Sequence, residues 1–239
     1  MIDIHAHVLP GIDDGPRDFE QSLALLKSLV ADGVEKVVLT PHLYRGHFDN
    51  TLQSIEEAFD RFVLQTPHPY RSALSHFAAE VRFDEHVPAL LKAGQLPLLS
   101  RKLNFQTVLL EMPDTLIPLG ANKLIEFLVS HGVHPVIAHP ERNRAVRDNP
   151  AKAADLVRMG CYLQLTAGAL LGDFGPAVSK TARQLVDSGL ISAVASDAHN
   201  LTGRGSRMGS AWNYIQQCWG PEAALRLTTS GPRRLSGLD

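Results

Sequence analysis

The residues best placed to do chemistry stand at the start of the chain, where Met1 to Pro16 read M-I-D-I-H-A-H-V-L-P-G-I-D-D-G-P. A short apolar-alternating run (Ile2, Ile4) leads into His5 and His7, and then into a Gly- and Asp-rich turn with Asp13 and Asp14. Residues two apart on a strand share a face, so the two imidazoles stand side by side, as a divalent metal requires. Alone, such an HxH is as often a pair of solvated histidines near a frayed terminus. What argues for chemistry is that further His, Asp and Glu residues sit at the ends of other apolar runs.

Those runs are the elements that must position the ligands. Apolar, β-branched segments recur at 2–5, 36–40, 74–80, 107–111, 135–139, 162–165 and 191–196 and read as strands. Segments 19–31, 51–63, 119–131, 150–159, 176–188 and 206–219 carry helical periodicity. Gly33, Gly94, Gly132, Gly160 and Gly189 fall where helices would end, a place that suits the left-handed C-cap. Residues 43–50 and 66–72 read as loops, and the tail from Ser230 as irregular. Seven βα units in series, with near-continuous apolar strands, call for a parallel sheet covered by helices. No Gly-rich dinucleotide fingerprint follows the first strand, which weighs against an open sheet. The expected fold is α/β: a distorted (β/α)7 TIM-like barrel, one domain over residues 1–239.

In such a barrel the site is built at the C-terminal ends of the strands. The first strand ends in His5 and His7, with Asp14 in the loop that follows; the second ends in T-P-H, giving His42. Glu80 ends the third and Glu111 the fourth, in L-L-E-M-P. His139 and Arg142 close the fifth, in A-H-P-E-R, and Asp197 and His199 the seventh, in S-D-A-H. The sixth end, Leu165-Thr166, carries no ionisable group. Carboxylates crowded together resist ionisation unless cations neutralise them, so the pattern calls for more than one metal. His47, His68, His76, His86, His131 and His134 fall in loops, on helix surfaces or away from those strand ends, and are read as non-ligands.

Mixed His, Asp and Glu ligation without thiolates suits Mn, Fe, Zn or Mg. Paired metals lower the pKa of a bound water and stabilise both oxygens of a phosphoryl displacement. Arg142 and Arg204 lie close in sequence to His139 and His199, and guanidinium forks match phosphate oxygens. A thiol phosphatase would need an Arg six positions after its Cys, but Ala167 and Ala224 stand there after Cys161 and Cys218.

Composition closes off other classes. With 23 basic and 25 acidic residues the net charge is −2, which gives no electrostatic argument for nucleic acid or an anionic membrane. No apolar stretch approaches the ~20 residues that span a bilayer, and no signal-peptide pattern precedes His5. Two cysteines make no disulfide framework, so the reducing cytoplasm is the expected compartment. Nothing in the sequence sets an oligomeric state.

Together the first motif, T-P-H, A-A-E-V-R, L-L-E-M-P, A-H-P-E-R and S-D-A-H-N-L resemble, in order and from residue 1 to about 210, the CpsB/CapC-type bacterial tyrosine phosphatases of the PHP (polymerase and histidinol phosphatase) superfamily. The resemblance implies a site of two or three divalent ions, usually manganese, with Fe, Zn, Mg or Co as alternatives. By position it gives His5, His7, Glu80 and Asp197 to a first metal. Glu111 and His139 go to a second, with Glu80 bridging, and Asp14, His42 and His199 to a third. Arg142 and Arg204 would hold the phosphate while a metal-bound hydroxide attacks phosphorus. The implied substrate is phosphotyrosine on the C-terminal tail of a tyrosine autokinase that controls capsule or exopolysaccharide synthesis. Two other readings stand beside it: a phosphoesterase of small metabolites such as histidinol phosphate, and a non-catalytic metal-binding regulatory barrel. Amidohydrolases share the opening HxH but commonly use a mid-barrel Lys, and that strand end here carries Glu111.

Overall fold

All seven apolar runs form strands in the computed structural model, which describes residues 1–238; Asp239, the last residue of the tail expected to be irregular, lies outside them. The chain runs β1 (Ile2–Ala6), α1 (Phe19–Ala31), β2 (Lys36–Leu39), β3 (His42–Leu43), α2 (Leu52–Gln65), α3 (His68–Arg71), β4 (Leu74–Phe77) and β5 (Glu80–Arg82). It continues through α4 (Val87–Lys92), β6 (Ser100–Lys102), β7 (Phe105–Glu111), α5 (Ala121–Ser130), β8 (Val133–Ala138), α6 (Arg144–Asp148) and α7 (Ala151–Arg158). Last come β9 (Tyr162–Thr166), α8 (Ala167–Leu171), α9 (Pro176–Asp187), β10 (Ala193–Ala195), α10 (Met208–Leu225), a π-helical turn (Arg226–Ser230) and α11 (Gly231–Ser236).

The strands pair in parallel as β1-β2-β4 and as β10-β9-β8-β7-β5-β3, with β6 antiparallel on β7. These two sheets follow one ring of strands. Pro41, which has no N–H to give to a ladder, separates β2 from β3. Bonds from Ala78 N to Leu39 O and from Glu80 N to Pro41 O carry the pairing past that break. At the other edge His7 N donates to Ala198 O and Asp197 N to His5 O, both at 2.8 Å, joining the end of β10 to β1. The segments therefore neighbour one another in chain order, as right-handed βα crossovers produce.

Two apolar layers sustain this arrangement. Ile2, Ile4, Val38, Leu109, Val136 and Ala195 pack inside the strands, and a larger cluster lies between the strands and helices such as α1, α2 and α5. Helix starts are capped as their sequences allow: Asp18 accepts from Gln21 N ahead of α1, and Thr51 with Ser54 forms a reciprocal capping box on α2. The five glycines expected at helix ends all have positive φ.

Four expectations are corrected. The single strand 74–80 is two, because a bulge places Leu74 and Phe77, three apart, opposite Val37 and Leu39, two apart. The loop 66–72 contains the short α3, and 43–50 begins within β3. The helix expected at 206–219 runs on to Leu225, broken at Gly220 (φ +85°) where Pro221 restarts it. The tail from Ser230 is helical rather than irregular: α11 tucks Leu235 into the inner layer, and Thr107 Oγ1 donates to Leu235 O at 2.6 Å. Its Gly-Pro start reads as a breaker, yet Pro fits the first turn of a helix, where its missing N–H would be unpaired anyway.

Candidate metal centre

A bulge in β1 aims the opening histidines. Asp3 and Ala6, three apart, face Val37 and Leu39, two apart, so Ile4 can lie in the inner apolar layer while His5 follows it into the polar site. Bulges commonly re-aim side chains beside functional sites. Buried Asp3 braces this one, its Oδ1 accepting from His5 N at 3.2 Å and Ser196 N at 3.0 Å. His139 and Asp197, just past β8 and β10, have φ of +35° and +54°. Such strained conformations in non-glycine residues persist only where the surroundings impose them, and they gather at functional sites.

These departures bring together all nine acid and histidine residues singled out at the strand ends. Glu80 is the hub: its Oε2 lies 3.2 Å from His5 Nε2, 3.3 Å from His7 Nε2 and 3.1 Å from His42 Nδ1, and its Oε1 lies 2.7 Å from His139 Nε2. Asp197 Oδ1 sits 3.4 Å and 3.5 Å from the same His5 and His7 nitrogens. Asp14 Oδ1 meets His199 Nε2 at 3.1 Å and His42 Nε2 at 3.4 Å. Glu111 closes the far side, within reach of Glu80 and His42, and is ion-paired to Arg82 at 2.9 Å. Three groups of ligand atoms result: His5, His7, Glu80, Asp197; His7, Asp14, His42, His199; and His42, Glu80, Glu111.

Tautomers decide whether these groups fit metal. Gln164 Nε2 donates to Leu165 O, which turns Oε1 towards His5 Nδ1 at 2.8 Å and fixes the proton there. Asp13 Oδ2 likewise takes the proton of His7 Nδ1 at 2.8 Å. The two Nε2 atoms, both acceptors in the neutral rings, then face each other at 3.2 Å beside two carboxylate oxygens. Four acceptors turned on one another are repulsive unless a cation sits among them. Atoms bound ~2.1 Å from a divalent ion lie about 3.0–3.4 Å apart, close to the 3.2–3.5 Å between the histidine nitrogens and their neighbours here. His199 Nε2, His42 Nδ1 and Asp197 Oδ1 are also buried without a hydrogen-bond partner, so the donor set fits divalent metal.

The titration behaviour is that of a cation site. Burial would lower the pKa of His7, but Asp13 and Glu80 raise it to about 10, so protons stand where a cation belongs. Burial would raise Glu80 and Asp197, yet the surrounding histidines, and for Asp197 the arginines, keep both well below the usual carboxylate range. Burial and the neighbouring Arg142 push His139 down to about 4, which leaves it neutral and able to ligate. Burial and Glu80 push Glu111 up to about 7 against the pull of Arg82.

Arg142 and Arg204 share the other oxygen of Asp197: Arg142 Nη1 donates to Oδ2 at 2.6 Å and Arg204 Nη2 at 2.8 Å. One carboxylate thus faces the histidines with Oδ1 and two guanidiniums with Oδ2. A model of the family described as "Capsular polysaccharide synthesis, CpsB/CapC" matches residues 1–236. The chain belongs to the CpsB/CapC family. Tyrosine-protein phosphatase YwqE of Bacillus subtilis is 34% identical over 231 residues, covering 95% of this chain and 89% of that protein. Tyrosine-protein phosphatase CpsB of Streptococcus pneumoniae is 29% identical over 240 residues, covering 98% of each. A crystal structure from work on these two metal-dependent tyrosine phosphatases superposes with a TM-score of 0.91 at 34% identity, covering 100% of this chain and 95% of that one.

The remaining six histidines of this CpsB/CapC chain stay outside the cluster. His76 binds Leu99 O and His134 binds Gly160 O, both as structural hydrogen bonds, and none of the six joins a ligand group among the described residues. Sequence reasoning missed the residues that orient the ligands. Asp13 was seen only as part of the turn, and Gln164 lies on the strand dismissed for lacking an ionisable end, although a Gln in the apolar run Y-L-Q-L-T was a signal. Buried Glu141 accepts from Thr166 N at 2.9 Å and ties the ends of β8 and β9. Arg82, inside the A-A-E-V-R motif, was passed over. His139 and Glu111, which the resemblance pairs, fall into no common group; Glu111 instead groups with Glu80 and His42.

Proposed function

We propose that this chain is a manganese-dependent protein-tyrosine phosphatase of the cytoplasm, acting on the phosphotyrosine-bearing tail of a bacterial tyrosine autokinase in capsule or exopolysaccharide synthesis. One observation carries the reading: the Nε2 atoms of His5 and His7 lie 3.2–3.5 Å from each other and from carboxylate oxygens of Glu80 and Asp197, beside two arginines. Family membership and the names of the relatives support the choice of tyrosine phosphatase.

In this reading His5, His7, Glu80 and Asp197 would hold one ion, Asp14, His42 and His199 another, and Glu80, Glu111 and His42, with His139 against Glu80 Oε1, a third. Bound divalent ions supply charge against the phosphoryl oxygens and a water acidic enough to act as nucleophile near neutral pH. The chain does the rest. Gln164 and Asp13 keep the His5 and His7 protons on Nδ1, so both Nε2 atoms remain donors to metal. Arg142 and Arg204, held by Asp197, present guanidinium forks to the phosphoryl oxygens and strengthen their grip as charge develops. Tyrosine leaves as a phenolate of pKa ~10, so less help from an acid is needed than for an alkoxide.

Release of phosphate from phosphotyrosine peptides by protein stripped of metal and then reloaded with Mn tests the reading. Turnover should vanish on stripping and return on reloading, and should exceed that on histidinol phosphate. Full activity in metal-free protein would refute it.

A further inference from the structure

The two sides of the site mouth differ in charge. On one side, beyond Arg142 and Arg204, opens a pocket of about 520 Å³ walled by Arg144, Arg147, Phe174 and Asp114. Four guanidiniums line it against a single carboxylate. On the other, beyond His199, a pocket of about 680 Å³ is lined by the candidate metal ligand Asp14 and, apart from it, by one acidic and one basic group, Glu20 and Arg17. Both are of the size that holds part of a peptide.

The basic side is built rather than incidental. Asn143 caps α6, its Oδ1 accepting from Val146 N at 3.2 Å, while its Nδ2 donates to Pro113 O at 2.7 Å and Leu116 O at 2.9 Å. Those bonds clamp α6 to the loop after β7. Arg144 and Arg147, three apart, share a helix face; Arg147 also donates to the carbonyl of Arg142. The Arg142 guanidinium lies 5.3 Å from the centre of the Phe174 ring, so an apolar wall begins where the phosphate clamp ends. Arg144 is exposed and pairs with Asp148 at 3.7 Å.

We propose that the pocket of Arg144, Arg147 and Phe174 is a specificity subsite for an acidic side chain, Asp or Glu, flanking the phosphotyrosine. The proposal rests on the tyrosine-phosphatase reading above. Arg144 and Arg147 line the same pocket as Arg142 and Arg204, so a residue flanking a phosphotyrosine clamped there meets two further guanidiniums. The opposite side, where Glu20 offsets Arg17, has no matching cluster of cations, which gives the peptide a direction.

The test measures kcat/KM on phosphotyrosine peptides flanked by Glu, Ala or Lys, for wild type, Arg144→Ala and Arg144→Glu. Wild type should favour the Glu peptide over the Ala peptide by about two- to fivefold, the size of an exposed ion pair, and the preference should shrink at high ionic strength. Arg144→Ala should bring the ratio towards one, and Arg144→Glu should turn it in favour of Lys. Equal rates of wild type on Glu and Ala peptides, or a preference that survives both substitutions, overturn the subsite. A loss that is the same on every peptide overturns it too, because α6 would then only brace Arg142. Turnover of the Ala peptide reads the phosphatase activity separately, so failure of that reading shows there and not in the ratio.

Discussion

Asp13→Asn isolates the orientation of a ligand from the ligand itself. Asp13 makes three bonds: Oδ2 accepts from His7 Nδ1 at 2.8 Å and from His42 N at 3.1 Å, and Oδ1 accepts from Gly15 N at 2.9 Å. An amide of the same shape must turn its NH2 group towards one of these donors, whichever way it lies. A lost hydrogen bond to a charged group is worth ~1.5–3 kcal/mol, and loss of such an orienting partner typically costs 10–100-fold in metal affinity. The Mn dissociation constant of Asp13→Asn should therefore rise by about 10–100-fold, read by competition with a fluorescent chelator, while metal still binds in the end. The same pair sets a pH signature. The pKa of His7 rises from 6.5 to about 10 in the folded protein. Its contribution to metal-free stability is thus full below pH 6.5 and fades as pH climbs to about 10. At pH 8 the metal must displace that proton, which calorimetry in buffers of different ionisation enthalpy detects. A metal affinity within twofold of wild type would show that Asp13 does not orient His7, and wild-type binding without proton release would show that His7 carries no extra proton in the metal-free site.

Other outcomes follow from the same geometry. Arg142→Ala should lower kcat/KM on phosphotyrosine peptide by ~2–4 kcal/mol of transition-state binding, as for one preorganised donor, and an unchanged value removes Arg142 from the site. Leu235→Ala, beneath the strands at 1% exposure, should destabilise the fold by ~2–5 kcal/mol in urea unfolding; no shift in midpoint would mean that α11 is dispensable. Iodoacetamide should leave activity intact while labelling Cys218. Cys161 is buried with its thiol pushed up to about 12, and neither cysteine stands in the site.

Much of the fold was legible because regular strands and helices announce themselves by period. Val37, Val38 and Leu39, or Val108, Leu109 and Leu110, are buried on both faces and read as strands without ambiguity. The strand-end rule then found every acid and histidine that meets at Glu80. What it could not find were residues whose partners are remote in sequence. Gln164 acts on His5 from 159 positions away, and Arg82 pairs with Glu111 across two neighbouring strands. The helical tail was hidden for a similar reason. Pro232 and the Arg233-Arg234 pair look like a breaker and a solvated run, and only the packing of Leu235 under the strands turns them into a helix.

The rim of the site was the hardest part to read, and the cause is physical. Period arguments assume regular backbone, yet the residues that converge here do so through irregularities: the bulge between Asp3 and Ala6, the break at Pro41, and left-handed turns at His139 and Asp197. Each left-handed turn costs ~1–3 kcal/mol, and each falls on a residue that meets Glu80 or the arginine pair. Beneath them, in the layer of Ile2, Val38, Leu109 and Ala195, apolar strand residues pack in the usual way. Regular strands supply stability, but they send neighbouring side chains to opposite faces and cannot gather five histidines and four carboxylates into one cavity. Strain at the rim does the gathering, and Asp197 shows its use: its left-handed backbone lets one carboxylate face His5 and His7 with one oxygen and Arg142 and Arg204 with the other.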